Sequence, residues 1–355
     1  MVTGGETVPF FGAHQAGVAV PPQAFSVFVG LDLLPGVDRE GVRRLMRILT
    51  DDAARLTQGG AALADSEPEL AVAPARLTVT FGFGPGLVAR VGGVAPAWLV
   101  PLPAFSIDRL EEAWSGGDLL LEVASDDPVT VAHAVRMLLK DARRFAGVRW
   151  RQDGFRRARG AVGSGLTMRN LFGQVDGTVN PVPGTVDFDS VVWSSGGWLA
   201  GGTGLVLRRI RMSLDSWDEL DRSGREQSVG RFLSSGAPLT GVLESDEPDF
   251  AATGAAGFPV IADFAHVRRA RGDGEERIYR RSYNYDVPPS GGGVSESGLI
   301  FASFQADVHA QFVPMQRRLD ELDLLNQWTT PVGSAVFAIP PGCQPGGFIG
   351  ETLLA

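Results

Sequence analysis

The segment from Phe264 to Asp286, FAHVRRARGDGEERIYRRSYNYD, gathers an imidazole, a run of guanidinium groups and all three tyrosines of the chain, Tyr279, Tyr283 and Tyr285. A neutral imidazole binds a metal through one ring nitrogen or exchanges a proton near neutral pH. A guanidinium is a permanent cation with several fixed donors. His266 and Arg280 stand 14 positions apart, separated by an acidic turn of Gly272, Asp273 and Gly274. On two elements joined in that way they could address one ligand from different sides. A lone histidine among arginines is more often a surface or satisfied group.

A second candidate lies about a hundred residues earlier, in NLFGQVDGTVNP, Asn170 to Pro181. Asp176 is flanked there by Gly173 and Gly177. An aspartate between glycines is a common turn residue. Alternatively, the glycines let the backbone approach a flat ligand closely while Asp176 projects a carboxylate toward it.

The elements that must position these groups follow from hydrophobic periodicity. Residues 1–24 are rich in Gly and Pro and read as an extended arm. Val27, Val29, Leu31 and Leu33 alternate as in a half-buried strand, and Val42, Leu45, Met46 and Leu49 recur at helical spacing. Leu77 to Phe83 and Leu119 to Val123 give two more strands, a helix begins near Pro128, and Val148 to Trp150 gives a fourth strand. The order β, α, β, β, α, β is the ferredoxin-like pattern, an antiparallel sheet with both helices on one face. The second half repeats this less plainly, with strands at Leu205–Met212 and Leu299–Phe304, a helical pattern around Trp217 and Leu220, and a helix from about His309 to Leu325. The expected fold class is α+β: an arm over 1–24, an N-terminal domain over 25–160 and a C-terminal domain over 161–355. The long connections Gly163–Gly204 and Gly241–Gly293 exceed ordinary loop lengths, and such loops usually carry function.

Composition narrows the chemistry. A net charge of −9 argues against nonspecific nucleic-acid binding, which needs a net basic face. A single cysteine, Cys343, rules out an intrachain disulfide framework and Cys-rich metal sites, and with four histidines and no HExxH a hydrolytic zinc site is not expected. No run approaches the roughly 18 to 20 apolar residues of a membrane helix. The start, MVTGGETVPFF, lacks the basic-then-apolar pattern of a signal peptide. The chain as given is expected to be cytoplasmic.

Several segments, in order, resemble the dye-decolorizing peroxidases, heme enzymes built from two ferredoxin-like halves. GQVDGT at 173–178 is similar to their GxxDG motif, AHVRRA at 265–270 to their proximal-histidine segment, and IYRRSYNYD at 278–286 to their distal-arginine segment. FFGAHQAGV, LRRIRM, GAPLTG, FVPMQRRLDELDLLNQW, GSAVFAIPPG and GGFIGETLLA extend the match along the chain, and the arm and closing segment point to the A-type subgroup.

The resemblance implies one heme b in the C-terminal half, with His266 as the axial iron ligand. It implies a carboxylate behind His266, for which Asp323 is the candidate and Asp320 or Glu321 the fallback. Asp176 and Arg280 match the distal pair that handles hydrogen peroxide, with Asp176 moving protons and Arg280 stabilising negative charge. Arg281 is expected to face away, since adjacent strand residues point to opposite sides. Leu299 and Phe301 would cover the distal heme surface, and Gly177, Thr178 and Val179 would lie along the heme edge.

The family usually continues its proximal segment as Asn-Pro-Arg, where this chain has Arg271, Gly272 and Asp273, so the propionate contact falls to Arg271 or Arg268. Pro331 and Val332 stand where many relatives have a histidine. The implied reaction reduces peroxide through a ferryl intermediate and oxidises phenolic or dye-like donors one electron at a time. A heme-binding or heme-handling protein with little turnover is the alternative. The implied partners are hydrogen peroxide and a small aromatic donor, with no nucleic acid and no membrane; a homo-oligomer is compatible with the chain. Export by the twin-arginine route, with a leader absent from this sequence, is the alternative location.

Overall fold

The computed structural model describes residues 2–163, 165–272, 274–289 and 293–355. Asp273, in the acidic turn, lies outside them. The strands are β1 (Phe25–Leu33), β2 (Thr78–Phe83), β3 (Leu119–Ser125), β4 (Ala146–Phe155), β5 (Thr203–Met212), β6 (Tyr279–Arg280), β7 (Tyr283–Val287), β8 (Glu296–Gln305) and β9 (Thr329–Ile339). All their pairings are antiparallel.

In the N-terminal half the strands lie in the order β2-β3-β1-β4, and in the C-terminal half β7-β8-β5-β9 repeats that order. The expected pair of sheets is joined into one. β2 meets β9 at Phe83 and Ala338, and β4 meets β7 at Phe155 and Asn284, so the eight strands close into a barrel. Each seam carries one residue pair, whereas β5 and β8 pair at every residue from Gly204 to Met212. β6 and β7 form one interrupted strand along the same edge of β8.

Strand periodicity sorts the side chains. Phe28, Leu120, Trp150, Leu205, Leu207, Ile300, Phe304 and Phe337 point into the barrel with all three tyrosines. Val27, Val29, Phe81, Leu121 and Val123 point outward and meet the helices Arg39–Thr57 and Pro128–Ala142. Val42, Leu45, Met46 and Leu49 are fully buried on the first helix, as their spacing predicts. Asp38 caps that helix by accepting from the Gly41 amide, and Asp127 caps the second just before Pro128.

The C-terminal half has a different outer layer. One turn of π-helix, Val308–Phe312, runs into the helix Val313–Leu322, and the short helix His266–Arg271 packs beside it. A small cluster of Phe172, Met212, Trp217 and Leu299 completes the cover, with Phe301, Leu325 and Trp328 packed against it. The expected helix from His309 to Leu325 is thus three short pieces, ending in a 3₁₀ turn at Leu324–Gln327. No helix among the described residues is long and apolar enough to cross a membrane.

Candidate active site

His266 is the first residue of its short helix, and its Nδ1 lies 2.6 Å from Asp323 Oδ2. The Asp323 side chain is 4% exposed and also accepts from the Leu325 amide at 3.0 Å. The Leu324 amide donates to the Phe264 carbonyl at 3.0 Å, tying the chain just before His266 to the chain just after Asp323. The two fallback carboxylates are engaged elsewhere, Asp320 with the Ser106 and Ile107 amides and Glu321 with Arg269.

Arg318 ties the two helices together and to the chain beyond the first, its Nε donating to the Arg269 carbonyl while its two arms pair with Glu276 at 3.1 Å each. Gly272 lets this happen. Its φ is +51°, and a Cβ there would lie 2.4 Å from the Arg318 guanidinium.

Burial disfavours the His266 imidazolium, but the Asp323 carboxylate outweighs it, so the imidazole pKa is raised above its ordinary value. With Nδ1 held by Asp323, the free coordinating atom is Nε2, which has no hydrogen-bond partner among the described residues. One third of this side chain is exposed. Arg280 and Asp176 are both close enough to act on its charge.

Arg280 and Asp176 meet each other directly, Nη1 to Oδ1 at 2.7 Å. Arg280 ends β6 opposite Ser303 of β8, on the outer face that also carries Leu299 and Phe301. Asp176 reaches it from a turn whose Gly177 has φ +127°, and the Asp176 amide donates to the Met168 carbonyl at 2.8 Å. Thr178 and Thr167 both donate to Glu244 Oε1, at 2.9 and 2.5 Å. Val179 is 50% exposed, Leu299 is buried and Phe301 half-buried against Phe312.

The structure therefore brings His266, Asp323, Asp176 and Arg280 into one region. Arg281 points into the barrel, away from Arg280. Arg268 is occupied by the Phe250 and Ile261 carbonyls and by Asp263, and Arg271 pairs with Glu247 at 2.8 Å.

Three neighbours were not foreseen. Asn180, Glu244 and the buried Arg231 hold this corner together, Arg231 by donating to the Gly236 and Glu244 carbonyls. Asn180 stood inside the NLFGQVDGTVNP segment and was readable as a turn residue before proline. Glu244 and Arg231 lie far from any motif.

Among the described residues no cluster of three or more His, Cys, Asp or Glu side chains could hold a metal ion. A single imidazole with a free Nε2, backed by a carboxylate and bordered by apolar side chains, suits a metal whose other ligands come from a flat macrocycle. The model of the Dyp-type peroxidase N-terminal region matches residues 15–156, and that of the Dyp-type peroxidase C-terminal region matches residues 167–344. The chain belongs to the Dyp-type peroxidase family. It is similar to the dye-decolorizing peroxidase of Thermobifida fusca, 37% identical over 96% of this chain and 84% of that protein. It is also similar to the deferrochelatase of Escherichia coli K12, 33% identical over 98% of this chain and 88% of that one. A crystal structure of a DyP-type peroxidase from Cellulomonas bogoriensis superposes with a TM-score of 0.96 at 54% identity, covering 100% of this chain and 99% of that one. The protein is accordingly a heme peroxidase of the dye-decolorizing type.

Proposed function

We propose that this peroxidase binds heme b in its C-terminal half, between the helix bearing His266 and the outer face of β5 and β8. The repeated strand order supports reading each half as a ferredoxin-like unit. His266 Nε2 would hold the iron. Gly177, Thr178 and Val179 would border the heme edge, and Leu299 and Phe301 would exclude water from the distal face. Arg268 and Arg271 would meet a propionate only by sharing donors already engaged with Asp263 and Glu247. Bound heme supplies the iron at which peroxide is reduced and the oxidising power passed to the donor.

The chain's own residues handle protons and charge. Asp176 accepts the proton of the inner peroxide oxygen and returns it to the outer oxygen, which leaves as water. Arg280 is a fixed cation 2.7 Å from that carboxylate and stabilises the deprotonated peroxide and the charge developing on the departing oxygen. Asp323 Oδ2 accepts a hydrogen bond from His266 Nδ1–H, which makes Nε2 a stronger electron-pair donor. The donor would be a phenolic or dye-like molecule oxidised one electron at a time. Every tyrosine is buried, whereas Trp114, Trp193, Trp198 and Trp328 are partly exposed, so a donor too large for the heme pocket would pass its electrons in through a tryptophan.

The observation that carries this reading is the pair Asp176–Arg280 facing an imidazole already fixed by Asp323. It is tested by mixing heme-loaded protein rapidly with one equivalent of peroxide and following the Soret band. The wild type converts, His266→Ala loses heme ligation, and Asp176→Ala or Arg280→Ala converts slowly. A Soret band that peroxide only bleaches would overturn it. That result would favour a heme-handling protein with little turnover, the reading to which the E. coli relative's name lends support.

A further inference from the structure

Asp176 and Arg280 lie 104 residues apart, and their ion pair joins only the tips of two side chains. A second link joins their backbones. The Arg280 amide donates to Asn180 Oδ1 at 3.0 Å, and Asn180 Nδ2 donates to the Arg280 carbonyl at 2.6 Å. β6 is two residues long and pairs with β8 on one edge, so the Asn180 amide serves the other edge as a further strand would. Asn180 itself closes the turn that follows Asp176, its backbone amide donating to the Gly177 carbonyl at 3.0 Å. The ion pair and the amide clamp thus close a ring: Asp176, the turn to Asn180, the Arg280 backbone, and the Arg280 side chain back to Asp176.

We propose that Asn180 is a positioning residue for the peroxide step, setting the separation and orientation of Asp176 and Arg280 through the Arg280 backbone. Asparagine suits the position chemically. Aspartate lacks the donor and would set a negative oxygen against the Arg280 carbonyl, glutamine is one methylene too long, and alanine offers neither group. Reaction geometry displaced by about 1 Å costs on the order of a hundredfold in rate.

The inference rests on the peroxidase reading of the Asp176–Arg280 pair, and the experiment separates the two. The rate of the peroxide-dependent Soret change is measured by rapid mixing for holoenzyme carrying Asn180→Ala, Arg280→Ala, or both, with heme content and the resting spectrum recorded for each. Asn180→Ala alone is expected to slow the step roughly ten- to a hundredfold, with heme content and resting spectrum as in the wild type. Added to Arg280→Ala it is expected to cost less than about threefold, because the group it positions is gone. An undiminished rate in Asn180→Ala, an equal loss in both backgrounds, or a loss matched by lost heme would overturn the positioning role. An undiminished rate in Arg280→Ala would overturn the assignment of Arg280 on which it rests.

Discussion

Arg280 sets its guanidinium 2.7 Å from Asp176 with 23% of its side chain exposed, whereas Arg281, the next residue, is sealed inside the barrel 3.9 Å from Glu122. The alternation of the interrupted strand β6–β7 along β8 sends them to opposite faces. Arg281 is held by Gln23 Oε1 at 2.7 Å and by the Val20 carbonyl, so it fastens the N-terminal arm to the barrel interior. One Glu122 oxygen and the Tyr283 hydroxyl have no hydrogen-bond partner there among the described residues. Arg280 keeps a face toward the His266 region and is aimed by Asp176 and Asn180. Two chemically identical side chains thus acquire separate tasks from their surroundings. A cation serves a reaction where a ligand can reach it, and serves the fold where its only partners are the chain's own groups.

The largest effect should come from the buried member. Arg281→Ala removes a fully buried side chain and leaves Gln23 Oε1 and the Val20 carbonyl without their donor in a closed interior, a loss of about 2–5 kcal/mol, read from the denaturant midpoint of the holoenzyme. Arg280→Ala should cost less stability, about 1–2 kcal/mol, but slow the peroxide-dependent Soret change by about 10²–10³. The comparison breaks if Arg280→Ala proves the more destabilising, or if Arg281→Ala folds normally and loses only the peroxide step.

Much of this contrast was legible in the sequence. The period of two in IYRRSYNYD separated Arg280 from Arg281, and the first helix followed from the spacing of Val42, Leu45, Met46 and Leu49. The His266–Asp323 contact was readable only through the family resemblance, since 57 residues separate the partners. Closure of the barrel was not legible. It rests on single residue pairs at Phe83–Ala338 and Phe155–Asn284, too few to impose a pattern on either strand. Asn180 and Glu244 escaped notice for a related reason: their work is to bond groups distant in the chain, and an amide or carboxylate beside a turn looks the same whether or not such a partner exists. Arg268 and Arg271 show the converse. Their type suited an anionic ligand, but the fold gives them carbonyls, Asp263 and Glu247.

The interior pair should also leave a pH signature that the outer pair does not share. Burial pushes the Glu122 carboxyl up to about 7, against the pull of Arg281 and Arg156. A raised carboxyl pKa means that the folded state holds the proton more tightly than the unfolded one. The stability contributed is therefore fully present below the ordinary value of 4.5 and is lost as pH rises through about 7. Holoenzyme stability should fall by roughly 1–3 kcal/mol between pH 5 and pH 8 from this group, and Glu122→Gln should flatten that part of the slope. A slope unchanged in Glu122→Gln would show that the barrel carboxyl is not its source.

A smaller effect sharpens the comparison, because it concerns a buried carboxyl that pairs with no cation among the described residues. Asp52, on the helix Arg39–Thr57, is 1% exposed and accepts from the Leu63 amide at 2.8 Å. Burial first, and then a hydrogen bond with Asp141 of the facing helix, push its pKa up to about 7, with Asp51 adding to the repulsion. Its sign is that of Glu122: full stability below 3.8, lost as pH rises through about 7. The remedy differs. Glutamine at 122 removes a charge that Arg281 needs, whereas asparagine at 52 keeps the acceptor for Leu63 and offers Asp141 a donor that requires no proton. Asp52→Asn should therefore raise the melting temperature at pH 8 by about 2–4 °C and change it little at pH 5. Equal gains at both pH values would show that the substitution acts through packing and not through the shared proton.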